Sequence, residues 1–338
     1  AVPSVHAQEA GTRAPKEGFD VHLSTTCGEL SGIAYHSADR HTPADEAGIT
    51  ERVLSGLAPL GLSLVREVYD DAQDGYAMIV RNSTDVFVVF RGSCNLKNLF
   101  TDLAYKPDPA AMRRFSEEAG VGLPEDVHVH RGFLEAWRGL RGPILEEVDE
   151  ILSQHVLSSE QGSGLALHVT GHSMGGAVGL LASLELAQHA RSRHNGRLRA
   201  HKTYTFAAPR LGNAAFARFF RSSFPRSADH WAMQFVSDAV PHLPFAAWGF
   251  EHPEGVLRLG ETTTGGAACG EVGRARPEAL QRARDRGDSV DMLRPRAGKI
   301  MDWVSSHDIQ CYLWELRRLS PPDAPPQSHR GAHLDWGV

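Results

Sequence analysis

Leu165-Ala-Leu-His-Val-Thr-Gly-His-Ser-Met-Gly-Gly-Ala-Val-Gly-Leu-Leu181 is the stretch on which the fold of this chain turns. It reads as a short buried strand, a sharp turn centred on Ser173, and a helix packed closely through small residues. Gly171-His-Ser-Met-Gly175 has the Gly-x-Ser-x-Gly form, in which flanking glycines leave room for a strained turn that holds the serine hydroxyl out. The pattern says little alone, because matches of this length are only hypotheses. Its surroundings give it meaning. Apolar residues alternate with others before Gly171, and Gly175, Gly176, Ala177 and Gly179 let the next helix lie close to a sheet. Together they predict an α/β fold with a mostly parallel central sheet flanked by helices and a nucleophile at the carboxyl end of one strand.

Working outward, 338 residues with a 41% apolar share suffice for a large core. We expect a single domain over 21–319, with 1–20 an extended arm and 320–338 a Pro-rich tail. No window approaches the roughly 18 uninterrupted apolar residues of a membrane span, so no transmembrane segment is expected. A net charge of -6 and a pI of 6.3 give no reason to expect nucleic acid as a partner. The Arg-rich run from Arg274 to Arg296 reads as a solvated loop. The chain starts Ala1-Val-Pro, and Val5-His6-Ala7 resembles a cleavage-site remnant, so a processed, secreted or extracytoplasmic form is expected. Cys27, Cys94, Cys269 and Cys311 contain no Cys-x-x-Cys pair; zero, one or two disulfides fit.

In chain order, helices are expected over Cys27 to Ser37 and Pro43 to Leu60, then an antiparallel meander over Leu62 to Val68, Tyr76 to Arg81 and Val86 to Phe90. Pro107 to Asp126 reads as a polar excursion, Val127 to Arg131 as a strand, and Gly132 to Val156 as a long helix completing a βαβ unit. After the Ser173 helix come a strand over Lys202 to Ala208, a helix over Asn213 to Phe224, and strands over His230 to Val236 and Gly255 to Leu259. Gly260 to Gly298 reads as long loops with one polar helix at Pro277 to Arg286, and Ile309 to Leu319 as a final amphipathic helix.

A serine hydroxyl is a poor nucleophile near neutral pH; it needs a histidine base, itself oriented by a carboxylate. In this strand-turn-helix class the three follow in the order Ser, Asp or Glu, His. Asp238 follows an apolar strand directly, where a side chain projects from the carboxyl edge of a sheet, whereas Asp229 lies at the wrong edge. His307, in Trp303-Val-Ser-Ser-His-Asp-Ile309, sits at a loop-to-helix junction after the last strand and is favoured over His242, His252, His329 and His333. The oxyanion of a tetrahedral intermediate needs backbone N–H donors, expected from Met174 and from the Arg91-Gly92-Ser93 loop, where the Ser93 hydroxyl adds another.

Phe90-Arg-Gly-Ser-Cys-Asn-Leu-Lys-Asn-Leu-Phe-Thr-Asp-Leu103, Val129-His-Arg-Gly-Phe133, the Ser173 elbow, Ala208-Pro-Arg-Leu-Gly-Asn213 and Asp238-Ala-Val-Pro-His-Leu-Pro244 resemble, in order, the signatures of the fungal-type, or class 3, lipases. The resemblance implies an α/β-hydrolase fold, Ser173, Asp238 and His307 as a triad, and Ser93 with Met174 as the oxyanion hole. It implies hydrolysis of acylglycerols at a lipid-water interface without a metal or organic cofactor. It also implies a lid near Cys94 to Lys106, in which Asp102 bonds near Ser93. Leu96, Leu99, Phe100 and Leu103 recur there at helical spacing, an apolar face that a lipid surface would cover. Leu99 stands where many members have tryptophan, and the insertions at Pro107 to Asp126 and Gly260 to Gly298 border the expected mouth of the site. Related enzymes suggest a Cys27–Cys311 disulfide; Cys94 and Cys269 border the same cleft and form a second possible pair. Mono- and diacylglycerols, phospholipid or galactolipid sn-1 chains, feruloyl esters, and a non-catalytic lipid-binding scaffold are the competing readings.

Overall fold

The computed structural model describes residues 18–39, 46–93, 108–158, 164–194, 196–224, 229–235, 237–253, 255–259 and 307–319. Strands β1 (Ser63–Asp70), β2 (Gly75–Arg81) and β3 (Asp85–Phe90) form the antiparallel meander. Strands β4 (Leu165–His172), β5 (Leu198–Phe206), β7 (His230–Phe235) and β9 (Val256–Leu259) then join β3 in parallel, in sequence order across the sheet. The short β6 (Gly212–Asn213) and β8 (Phe250–Glu251) pair separately beside it. Every residue of β4 is buried, as a central parallel strand covered on both faces requires.

The pleat sends alternate side chains into two cores. On one face Ile79, Val88, Phe90, Leu167 and Val169 meet helices α3 (Pro109–Ala119), α4 (Arg131–Ser158), α5 (Met174–Arg193) and α6 (Ala214–Ser223). On the other, Met78, Val80, Val89, Tyr204 and Met233 meet α1 (Val21–Ile33), α2 (Glu46–Leu57) and α7 (Ile309–Leu319). Asp20 caps α1 by accepting from the Leu23 N–H at 2.9 Å, and a 3-10 turn, Ala34–Asp39, follows it. First and last helices thus pack together behind the carboxyl end of β4.

Three local expectations are corrected. The segment read as a polar excursion contains α3, opened by an Asp108 cap with Pro109 in the first turn and closed by Gly120 at φ 63°; Ala111, Met112, Phe115 and Ala119 bury one face of it. Val127 to Arg131 makes only a single bridge, Val129 to Gly212, because α4 already starts at Arg131. The first helix runs Val21–Ile33, not Cys27 to Ser37, since the Asp20 cap starts it earlier. The disulfide suggested between Cys27 and Cys311 is also absent: Cys27 is a free, fully buried thiol. Burial pushes that thiol far above its usual pKa, although Thr170 bonds to it. The lid residues Leu96, Leu99, Phe100, Asp102 and Leu103, with Cys94, Cys269 and the Arg274 to Arg296 run, lie outside the described residues.

Candidate active site

Ser173 joins β4 to α5 with φ 56° and ψ -130°, a backbone state that costs a non-glycine residue on the order of 1–3 kcal/mol unless its surroundings enforce it. Here they do. The Ser173 N–H donates to the Phe206 carbonyl of the adjacent strand at 2.8 Å. A Cβ on Gly171 would lie 2.5 Å from the Gly175 carbonyl, and one on Gly175 2.4 Å from the Phe90 carbonyl. Both glycines are therefore needed for the strand, the elbow and the end of β3 to close on one another.

The loop after β3 presses on the same point. A Cβ on Gly92 would meet the Tyr35 hydroxyl at 2.2 Å, the His172 carbonyl at 2.7 Å and the Ser173 Cβ at 3.0 Å. Gly92→Ala cannot be relieved by a rotamer change, because one of the three neighbours is backbone. We expect a lowered thermal midpoint and at least a ~100-fold loss of any turnover at Ser173, since displacements of about 1 Å cost that much; differential scanning calorimetry and initial rates check both. Arg91, just before it, is buried; its guanidinium donates to Ser37 Oγ at 3.0 Å and to both the carbonyl and a carboxylate oxygen of Asp74 at 2.6 Å. Ser93 is half-buried at the end of the described segment, and Met174 opens α5, where first-turn N–H groups have no helical acceptor.

Asp238 lies just past β7, at the carboxyl edge, while Asp229 lies at the opposite end of that strand. One Asp238 oxygen, Oδ1, accepts from the Val240 N–H at 2.9 Å. The other accepts from the Tyr312 hydroxyl at 2.7 Å and is 2.9 Å from His307 Nδ1. A carboxylate only accepts, so His307 carries its proton on Nδ1 and turns a lone pair outward at Nε2. Burial, and then the charge of Asp238, holds the Tyr312 hydroxyl well above its usual pKa, so it stays a donor. Tyr312 also accepts from the Phe235 N–H at 3.0 Å. Tyr312→Phe strands that buried N–H and removes a donor from Asp238. We expect it to cost about 1–3 kcal/mol of unfolding free energy, read by urea denaturation.

Ser173, Asp238 and His307 are all buried, and the His307 ring packs at a 42° tilt against His172, the residue before the serine, with centroids 4.6 Å apart. Ser173 Oγ and His307 Nε2 are both buried without a hydrogen-bond partner. Buried polar atoms are nearly always paired; here an acceptor nitrogen and a hydroxyl have been left unspent beside one elbow. The competing His252 instead bonds the Pro241 carbonyl at 2.6 Å, and burial pulls its pKa down to about 3. Nothing in the sequence singles out Tyr35, Tyr312 or His172 as site residues; Tyr312 lies within the final amphipathic helix.

Among the described residues, Asp149, His189 and His194 gather metal-type donors. Arg197, which can only donate, sits 3.0 Å from His194 Nδ1, so Nε2 bears the proton given to Asp149 at 2.7 Å. With no lone pair turned inward from His194, the cluster reads as a hydrogen-bonded tie between α4 and the carboxyl end of α5, the end away from Ser173.

A sheet of this order with a serine elbow, an acid after a later strand and a histidine before the last helix defines a serine-hydrolase architecture. The family model "Lipase (class 3)" matches residues 87–248. It is 28% identical over 239 residues to a lipase of Rhizomucor miehei, covering 68% of this chain and 58% of that one. It is 30% identical over 178 residues to the secreted mono- and diacylglycerol lipase MDL3 of Malassezia globosa, covering 52% of each. The chain thus spans little more than half the length of these relatives. A structure of the Rhizomucor miehei triacylglyceride lipase superimposes with a TM-score of 0.53 at 26% identity, over 74% of this chain and 83% of that one. No helix among the described residues is long and apolar enough to cross a membrane.

Proposed function

We propose that this protein hydrolyses carboxylic esters of acylglycerols, triacylglycerols foremost, through an acyl-enzyme on Ser173. The observation that carries this reading is the pairing of His307 Nδ1 with Asp238, which leaves Nε2 a bare base in the same buried corner as the strained, unpaired Ser173 hydroxyl. Ser173 Oγ attacks the ester carbonyl while His307 Nε2 takes its proton, and Asp238 stabilises the imidazolium that forms. The oxyanion is met by the Met174 N–H and by Ser93. Collapse expels the glyceride alkoxide, which leaves with the proton from His307; a water deprotonated by the same nitrogen then frees the fatty acid and restores Ser173.

The match to that family model and the lipases among its relatives support a lipid ester as substrate. In this reading Leu96, Leu99, Phe100, Asp102 and Leu103 form a lid that a lipid interface displaces, and the protein works outside the cytoplasm, as the secreted relatives do. The mono- and diacylglycerol lipases among those relatives favour a second reading, partial glycerides as substrates of the same triad. Initial rates on emulsified triolein, diolein, monoolein and phosphatidylcholine test the choice. Triolein turned over fastest supports the first reading; diolein or monoolein ahead of it establishes the second. No turnover of any ester would contradict both.

A further inference from the structure

The groups that hold His307 extend beyond Asp238. Building on the triad reading, we propose that Tyr35 and His172 form a positioning clamp for His307: the Tyr35 phenol donates to Nδ1 and holds the His172 ring in place, and the ring's Nε2–H holds the His307 backbone carbonyl.

The argument is one of donors and acceptors. His172 Nε2 lies 2.7 Å from the His307 carbonyl, which can only accept, so the proton is on Nε2. In a neutral ring Nδ1 is then an acceptor, and the Tyr35 hydroxyl 2.8 Å away is its donor. His172 is neutral: burial, and then the neighbouring His307, hold its pKa well below the usual imidazole value. All three side chains are buried.

The clamp has a chemical rationale. Asp238 fixes the His307 ring at one nitrogen only, and a ring held at one atom still pivots about its backbone. Holding the main-chain carbonyl as well fixes where Nε2 points, and tenths of an ångström matter to an attacking pair. A neutral donor suits the place better than lysine or arginine. His307 becomes cationic during turnover, and a fixed charge with its centre about 4.6 Å away would oppose that. Tyr35 comes from the 3-10 turn after α1, and its hydroxyl also abuts Gly92 of the loop after β3. One phenol therefore ties three distant pieces of chain to one point.

Two experiments test the clamp, and the first needs no turnover. In the Ser173→Ala protein, ¹H–¹⁵N correlation of the imidazoles is expected to show His172 as Nε2–H, and added Tyr35→Phe to shift the unprotonated Nδ1 resonance downfield as the phenol's hydrogen bond is lost. The second is a double-mutant cycle on a soluble short-chain ester. We expect Tyr35→Phe to lower kcat about 10-fold with KM within about two-fold, and His172→Leu to lower kcat about 100-fold. His172→Gln, whose amide donates from the Nε2 position unaided, recovers at least about 10-fold of that loss, and on it Tyr35→Phe costs nothing further. A Tyr35→Phe penalty equal in both backgrounds would mean the phenol acts by packing and would overturn the clamp. So would a His172 found as Nδ1–H, or an Nδ1 resonance indifferent to Tyr35→Phe. If His172→Leu does not fold, the cycle on His172→Gln decides. A wild-type protein inert to every ester would sink the hydrolase reading, while the spectra would still judge the clamp.

Discussion

Ser173→Ala is expected to lower kcat on an acylglycerol by about 10⁴-fold or more, the scale on which removing a serine nucleophile acts in comparable triads. The loss should fall on kcat, with KM little changed, because Ser173 Oγ makes its decisive bond after substrate is bound. The same change should leave stability equal or improved. The serine holds φ 56° and its hydroxyl has no partner, so alanine gives up no hydrogen bond and removes one buried, unsatisfied polar atom. Opposite signs for activity and stability are what a strained functional site predicts. A variant that is both inactive and unstable would point to a structural serine.

Asp238→Asn carries the second large effect. The carboxylate accepts from the Val240 N–H, the Tyr312 hydroxyl and His307 Nδ1. An amide can accept at one end only, and its NH₂ end offers hydrogens where Oδ2 or Oδ1 had accepted them. With the NH₂ facing His307, the ring relaxes by moving its proton to Nε2, which is then no longer a base. We expect a kcat loss of about 10³–10⁴-fold, as a wrong tautomer costs in an analogous triad. Measured against Tyr312→Phe, which leaves the carboxylate in place, the cycle separates loss of charge from loss of support. Equal and small losses in both would mean that Asp238 merely caps its turn.

Much of this architecture was legible in the linear chain, for reasons that can be named. A strand buried along its whole length, followed by Gly171 and Gly175 at fixed offsets, admits few structures, because a side chain at either glycine would collide with backbone. Asp238 and His307 were readable because one directly follows an apolar strand and the other directly precedes an amphipathic helix; the fold brings them into hydrogen-bonding contact across 69 positions. Helix α3 was hidden by Arg113, Arg114, Glu117 and Glu118, which interrupt its apolar residues along the sequence, although its Asp108-Pro109 start and Gly120 stop were present. Tyr35 and Tyr312 were hidden for a different reason. Their partners lie 137 and 74 positions away, and a lone tyrosine at helical spacing carries no sign that its hydroxyl, rather than its ring, is what the fold uses.

The central claim is that the Ser173 hydroxyl is the group activated by His307, and covalent trapping tests it most directly. After incubation with a p-nitrophenyl alkylphosphonate, intact-mass and peptide analysis should show a single adduct, on Ser173, with label sharply reduced in His307→Ala. Label on any other residue, or an unchanged rate of labelling without His307, would contradict it.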